Sequence, residues 1–207
     1  MPKLAPYVHP VYKVSGAGEP AALGSSVLLR RGRQLYLASA AHVLDDNQDT
    51  PEREASSLYV GGSHGELCLF EADFLQNKKP ADLAVAVLTG DLSAAWDCSP
   101  AVDVDSQVAT GETSGLHLVL GYPARRAAFT LDRATNTIKH SMFKYAQVRK
   151  DRKKDGEHHF FSMRMNRGHV KRGAVKQRAP SPAGVSGGAV FCRDTATSPG
   201  GHLHRVR

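Results

Sequence analysis

The sequence predicts an all-β fold class. Three observations carry that expectation. Apolar runs of strand length recur, turn signals separate them at short spacing, and no long segment holds helical periodicity. Glycine (19 residues) and proline (11) supply the turns. A chain of 207 residues, 41% of them hydrophobic, has material for one large domain or two small ones with an ample core. Many short strands fit a sandwich or a pair of barrels. No repeat at solenoid or propeller spacing is present.

The elements follow in order. Residues 1–20 are rich in Pro and Gly and read as an N-terminal lead-in. SVLLR at 26–30 is β-prone, RGR at 31–33 is a short turn, and QLYLASA at 34–40 is the return strand. The polar, Pro-containing stretch at 45–57 reads as a surface loop. SLYVGG at 57–62 and ELCLFEADFL at 66–75 read as further strands. KKPADLAVAVL at 78–88 is a short basic loop followed by an apolar run of strand length. Residues 91–115 read as a connector, which predicts one half at 21–100 and another at 101–207. LHLVLGYP at 116–123 is a buried-type strand closed by Gly121 and Pro123. AAFTLDRATNTIKH at 127–140 is a hairpin with its turn near Thr135–Thr137. Residues 148–158 read as a charged loop, HHFFSMRM at 158–165 as a weakly alternating strand, 168–184 as a loop, and GGAVFCR at 187–193 as one more strand.

Charge and cysteine usage narrow the setting. Net charge is +7 with a pI near 9.5. Twelve lysines and arginines lie between Lys144 and Arg178, against Asp151, Asp155 and Glu157. Such a field favours acidic partners, nucleic acid or an acidic protein, although a solvated basic loop has the same composition. Cys68, Cys98 and Cys192 are odd in number and far apart, which argues against a disulfide framework and for a reducing compartment. Cys192 sits in an apolar run and reads as a buried, inert thiol. No run approaches the roughly 18 to 20 apolar residues of a membrane span. The N-terminal residues lack a signal-peptide core, so the expected location is cytoplasmic. His158-His159 and His202-x-His204 lack acids or cysteines at ligand spacing, so they read as surface or strand positions and no metal is expected.

Three local patterns bear on chemistry. SAAHV at 39–43 ends an apolar strand, and its small residues leave room beside the His42 ring. Taken alone, a histidine at a strand end is more often structural. PADLAVAVL at 80–88 sets one acid, Asp82, at the mouth of an apolar run, where burial is costly unless the carboxylate is paired. The plain alternative is an ordinary surface aspartate. SPAGVSGGAVF at 181–191 centres Ser186 among glycines. Acyl transfer needs a hydroxyl activated by a neighbouring base and N–H groups aimed at the developing oxyanion. Gly184 lets the backbone turn an N–H inward, and Gly187 lets the chain leave in a tight turn. A Gly-rich turn into a strand is the competing reading.

The order His42, Asp82, Ser186 resembles the chymotrypsin-fold (trypsin-like) serine peptidases. SAAHV resembles their T-A-A-H segment, ADLAV their D-[IL]-A-[LV] segment, and GVSGGAVF their G-[DN]-S-G-G-P-[VL] segment. The likeness runs over residues 24–191, with about 40 residues from His to Asp and about 104 from Asp to Ser. More narrowly, Gly121-Tyr122-Pro123 and APSPAGVSGG resemble bacterial, intracellular-type trypsin-like peptidase domains. The resemblance implies two packed six-stranded Greek-key β-barrels, with His42 and Asp82 in the first and Ser186 in the second. It implies Ser186 as nucleophile, His42 as general base and acid, and Asp82 as the group that orients the imidazole. The N–H groups of Gly184 and Ser186 would form the oxyanion hole. A protein or peptide substrate follows, with no cofactor.

The sequence also departs from the family pattern. Val185 stands where many members carry Asp or Asn, and the N-terminus is not of the I-V-G-G type, so activation by N-terminal insertion is not expected. Ala189 stands where proline is usual. Pro180 occupies the position six before the serine, and no acid lies between Ala174 and Val185, which disfavours a pocket for Lys or Arg. The family normally continues past the serine strand with a further strand and a helix. About twenty residues follow Ser186. The chain therefore reads as truncated, with an incomplete second barrel and an exposed edge. The alternative function is a degenerate protease-like binding module that uses its basic surface for acidic partners. The G-x-S-x-G pattern also fits a nucleophile elbow of an α/β-hydrolase, but Asp194, His202 and His204 come without the strands and helices that fold needs.

Overall fold

The computed structural model describes residues 4–15, 17–45, 57–62, 65–71, 73–77, 81–96, 99–107, 116–124, 129–135, 137–148, 151–155, 158–162, 169–172, 175–178, 185–193 and 205–206. Among these, eighteen strands stand beside three short helices and a 3-10 turn at Ala5–Tyr7. The fold class is all-β, as the sequence predicts. No helix among the described residues is long and apolar enough to cross a membrane.

The first and largest sheet holds β1 (Val8–Val14), β2 (Pro20–Arg31), β3 (Gln34–Ala40), β4 (Ser57–Gly61), β5 (Leu67–Leu69), β6 (Phe74–Asn77), β7 (Leu83–Leu88) and β8 (Val102–Asp103). Its order is β5-β4-β1-β2-β3-β7-β6, and β8 runs parallel to β2 at Leu29 and Arg30. The β2–β3 hairpin pairs Arg31 with Gln34 across Gly32-Arg33. Gly32 has φ +58 and leads the two-residue turn, the geometry that matches the twist of the flanking strands.

β1 lies between β2 and β4, within residues 1–20 that read as a lead-in from composition. Pro10 is tolerated there because the β1–β4 ladder begins only at Val11, and a bulge follows between Val11 and Tyr12. The segment 91–115 is likewise more than a connector. It contributes most of α2 (Gly90–Trp96), β8 and α3 (Val104–Gln107), and it sends Trp96 and Val102 into the core.

The second sheet has the order β12-β9-β17-β18, from β9 (Leu116–Gly121), β12 (Phe143–Val148), β17 (Ala189–Arg193) and β18 (Arg205–Val206). β10 (Phe129–Asp132) and β11 (Thr137–His140) form the expected hairpin, whose turn is held by the Asp132 carboxylate accepting from the N–H groups of Ala134 and Thr135. Two further hairpins occupy the basic segment: β13 (Asp151–Asp155) with β14 (His158–Ser162), and β15 (His169–Arg172) with β16 (Val175–Arg178). The sequence reads 148–158 as a charged loop and 168–184 as a loop, and the structure places a strand pair in each region. A strand pair needs only backbone partners on its edges, so charged side chains do not forbid it.

Alternation divides the first sheet between two cores. Leu28, Leu35, Leu37, Val60, Phe70, Ala86, Leu88 and Trp96 pack on one side. Val8 and Val27 face the other way and join Leu4, Val102, Leu120, Ala189 and Phe191. That second cluster draws on both sheets, so residues 4–27 meet residues 189–191 in one apolar contact.

Candidate active site

The His42–Asp82 contact is built by register. β3 and β7 pair Ala40 with Leu83, so the end of β3 stands beside the start of β7. The chain then turns from β3 into α1 (Ala41–Asp45), and Asp82 directly precedes β7. Ala41 N–H donates to the Asp82 carbonyl at 3.1 Å. Asp82 has φ +47, a left-handed conformation that aspartate tolerates better than most residues. That conformation sits where the carboxylate meets α1. Oδ1 accepts from the His42 backbone N–H at 3.0 Å, and Oδ2 lies 2.6 Å from His42 Nδ1.

Both side chains are about half-exposed. A pair in that setting adds little to stability. Its effect is orientation. A carboxylate facing Nδ1 keeps the proton on that nitrogen and leaves Nε2 free to accept one.

Ser186 lies in a tight turn. Gly188 N–H donates to the Val185 carbonyl at 2.9 Å, and Gly187 has φ +78 at the third position. A turn of this kind requires a left-handed residue there, hence glycine. Space imposes the same choice: a Cβ on Gly187 would stand 2.1 Å from the Ser25 carbonyl oxygen, 2.5 Å from Ser39 Oγ and 3.0 Å from Ala40 N. The small residues before His42 therefore make room for the Ser186–Gly187 turn itself. Ser186 is half-buried.

The structure thus bonds His42 to Asp82 and seats the Ser186 turn against the strand leading into His42. No hydrogen bond joins Ser186 to His42 among the described residues. Gly184 and Pro180 lie outside the described residues, as do His202 and His204. So do the side chains of the basic segment beyond Ala146, including those of His158 and His159. Among the described residues no group of three or more His, Cys, Asp or Glu side chains could hold a metal ion.

Sequence reasoning missed Ser25. It is fully buried. Its N–H donates to the Ser186 carbonyl at 2.9 Å, its carbonyl accepts from Ser39 Oγ at 2.8 Å, and its Oγ accepts from Tyr122 N–H at 2.8 Å. The available signal was GSS at 24–26, three small residues ahead of the apolar run Val27–Leu29.

The Tyr122-Pro123 segment that follows β9 has a second attachment. His140 Nε2 lies 2.9 Å from the Pro123 carbonyl and so carries the proton, and its Nδ1 lies 2.6 Å from the Tyr12 hydroxyl, which donates to it. Burial pushes the His140 ring below its ordinary pKa and the Tyr12 phenol well above its own, which keeps both neutral.

No protein-family model matches the chain, and no curated protein matches it.

Proposed function

We propose that the chain is a serine endopeptidase working through an acyl-enzyme. Ser186 Oγ attacks the scissile carbonyl carbon while its proton passes to His42 Nε2. The tetrahedral intermediate collapses, the C–N bond breaks, and His42 returns the proton to the leaving amine. Water then repeats the sequence on the ester. Asp82 holds the tautomer and stabilises the imidazolium, and the N–H groups of Ser186 and Gly184 receive the oxyanion.

The observation that carries this reading is the 2.6 Å contact between His42 Nδ1 and Asp82 Oδ2, with the Ser186 turn packed beside the same strand end. The pair of six-stranded Greek-key barrels and a protein or peptide substrate belong to the same proposal. So does a cytoplasmic setting, which the odd, scattered cysteines support.

A fluorophosphonate probe tests the reading. The expected result is a single adduct on Ser186, lost in Ser186→Ala and slowed in His42→Ala. An adduct on another residue of the folded protein, with Ser186 unmodified, would show the assignment to be wrong.

A further inference from the structure

We propose that Ser25 is a positioning residue that fixes the Ser186 turn against the strand carrying His42. The inference rests on the reading of Ser186 as nucleophile and adds a residue that the three motifs do not contain.

Three chain segments converge on this one fully buried residue. Its N–H holds the Ser186 carbonyl at 2.9 Å. Its carbonyl receives the Ser39 hydroxyl at 2.8 Å, three residues before His42. Its own hydroxyl receives the Tyr122 N–H at 2.8 Å, from the segment that follows β9. The nucleophile turn, the strand of the base and the end of β9 with Tyr122 are thus referred to a single point on β2.

The surrounding glycines allow no slack. A Cβ on Gly24 would meet the Ser186 carbonyl oxygen at 2.9 Å. A Cβ on Gly121 would meet Ser25 Oγ at 2.9 Å and Val185 Cγ1 at 2.6 Å. Backbones packed this closely transmit a displacement instead of absorbing it. In acyl transfer a shift of the nucleophile by about 1 Å is enough to cost on the order of a hundredfold in rate. Ser25 touches neither substrate nor the reacting atoms, so it acts through Ser186.

The test compares fluorophosphonate labelling rates of folded wild type, Ser25→Ala, Ser39→Ala and Ser39→Thr, each well below its melting temperature. Ser25→Ala strips the acceptor from the Tyr122 N–H, and Ser39→Ala strips the donor from the Ser25 carbonyl. Labelling of Ser186 is expected to slow by roughly tenfold to a hundredfold in both alanine variants. The midpoint of the labelling pH profile is expected to stay at the wild-type value, because the His42–Asp82 pair is untouched. Ser39→Thr, which keeps the hydroxyl, is expected to restore most of the rate. Ser39→Ala gives an independent measurement where Ser25→Ala does not fold.

Variants that are less stable yet label at the wild-type rate would reduce Ser25 to a structural tie and overturn the inference. A shifted pH midpoint would also overturn it, since the effect would then run through His42. A wild type that is not labelled at Ser186 overturns the nucleophile reading itself, an outcome distinct from either.

Discussion

Asp82 receives two hydrogen bonds from one residue: the backbone N–H of His42 at Oδ1 and the His42 ring at Oδ2. The first fixes the carboxylate against the start of α1, and the second fixes the ring against the carboxylate. Asp82→Asn tests what this double contact does. Asn tolerates the left-handed backbone as Asp does, and its carbonyl oxygen can still accept from one N–H. Its NH₂ group facing Nδ1 would favour the wrong tautomer. The expected outcome is a loss of about 10³- to 10⁴-fold in acylation rate. The change in stability should be no more than about 1 kcal/mol, since the pair is half-exposed. Labelling kinetics and urea titration on the same sample measure both.

Gly187 and Gly18 separate backbone strain from crowding. Both have positive φ, +78 and +76. Around Gly18 a Cβ meets nothing within 4 Å, while at Gly187 it would meet the Ser25 carbonyl oxygen at 2.1 Å. Gly18→Ala is expected to cost about 1 to 2 kcal/mol from strain alone. Gly187→Ala adds overpacking of about 1 to 3 kcal/mol to a similar strain. Chemical denaturation midpoints of the two variants measure the difference.

Acid should destabilise the fold through His9 and His140. Burial lowers the pKa of each ring below 6.5. The unfolded chain then binds those protons more readily than the native state. Their contribution to stability is fully present above pH 6.5 and is lost as pH falls below it. Melting temperature measured against pH should drop on the acid side. His140→Gln cannot titrate and is expected to make that slope shallower from a lower starting stability.

β6 ends the first sheet and carries Leu75, which is 79% exposed, next to the exposed Leu83 and Val87 of β7. An apolar edge strand invites pairing with another chain. Leu75→Lys is expected to reduce concentration-dependent association in sedimentation. Thermal stability should stay within about 0.5 kcal/mol of wild type.

Much of this was legible in the sequence. The β2–β3 hairpin could be read because Gly32 marks a two-residue turn between apolar runs. β9 and β17 could be read because strands covered on both faces appear as continuous apolar stretches. β1 could not, because Pro10 argues against a central strand unless one knows where the β4 ladder begins. The hairpins at 151–162 and 169–178 are masked by charge, and the role of 91–115 turns on Trp96 and Val102, two core residues set apart from each other in a stretch with no strand-length apolar run. At the site, the pairing of His42 with Asp82 was legible only as what the resemblance of the three motifs together implies. Nothing local revealed the left-handed φ of Asp82. Ser25 was invisible for a different reason: a serine in a strand acquires meaning only from the three segments that reach it in space.

The apolar cluster shared by Leu4, Val8 and Val27 with Leu120, Ala189 and Phe191 bears on how the molecule is made. During vectorial synthesis β3 and β7 emerge early, so His42 and Asp82 can meet while much of the chain is still unmade. The inner face of β1 and β2, met earlier by Val102 and Leu120, is not fully covered until residues near 190 leave the ribosome, a contact of high sequence separation that forms slowly. Ser186 sits three residues before β17 and arrives with it. A nascent chain would thus carry His42 and Asp82 well before Ser186, and the same late strand that covers the core would deliver the serine.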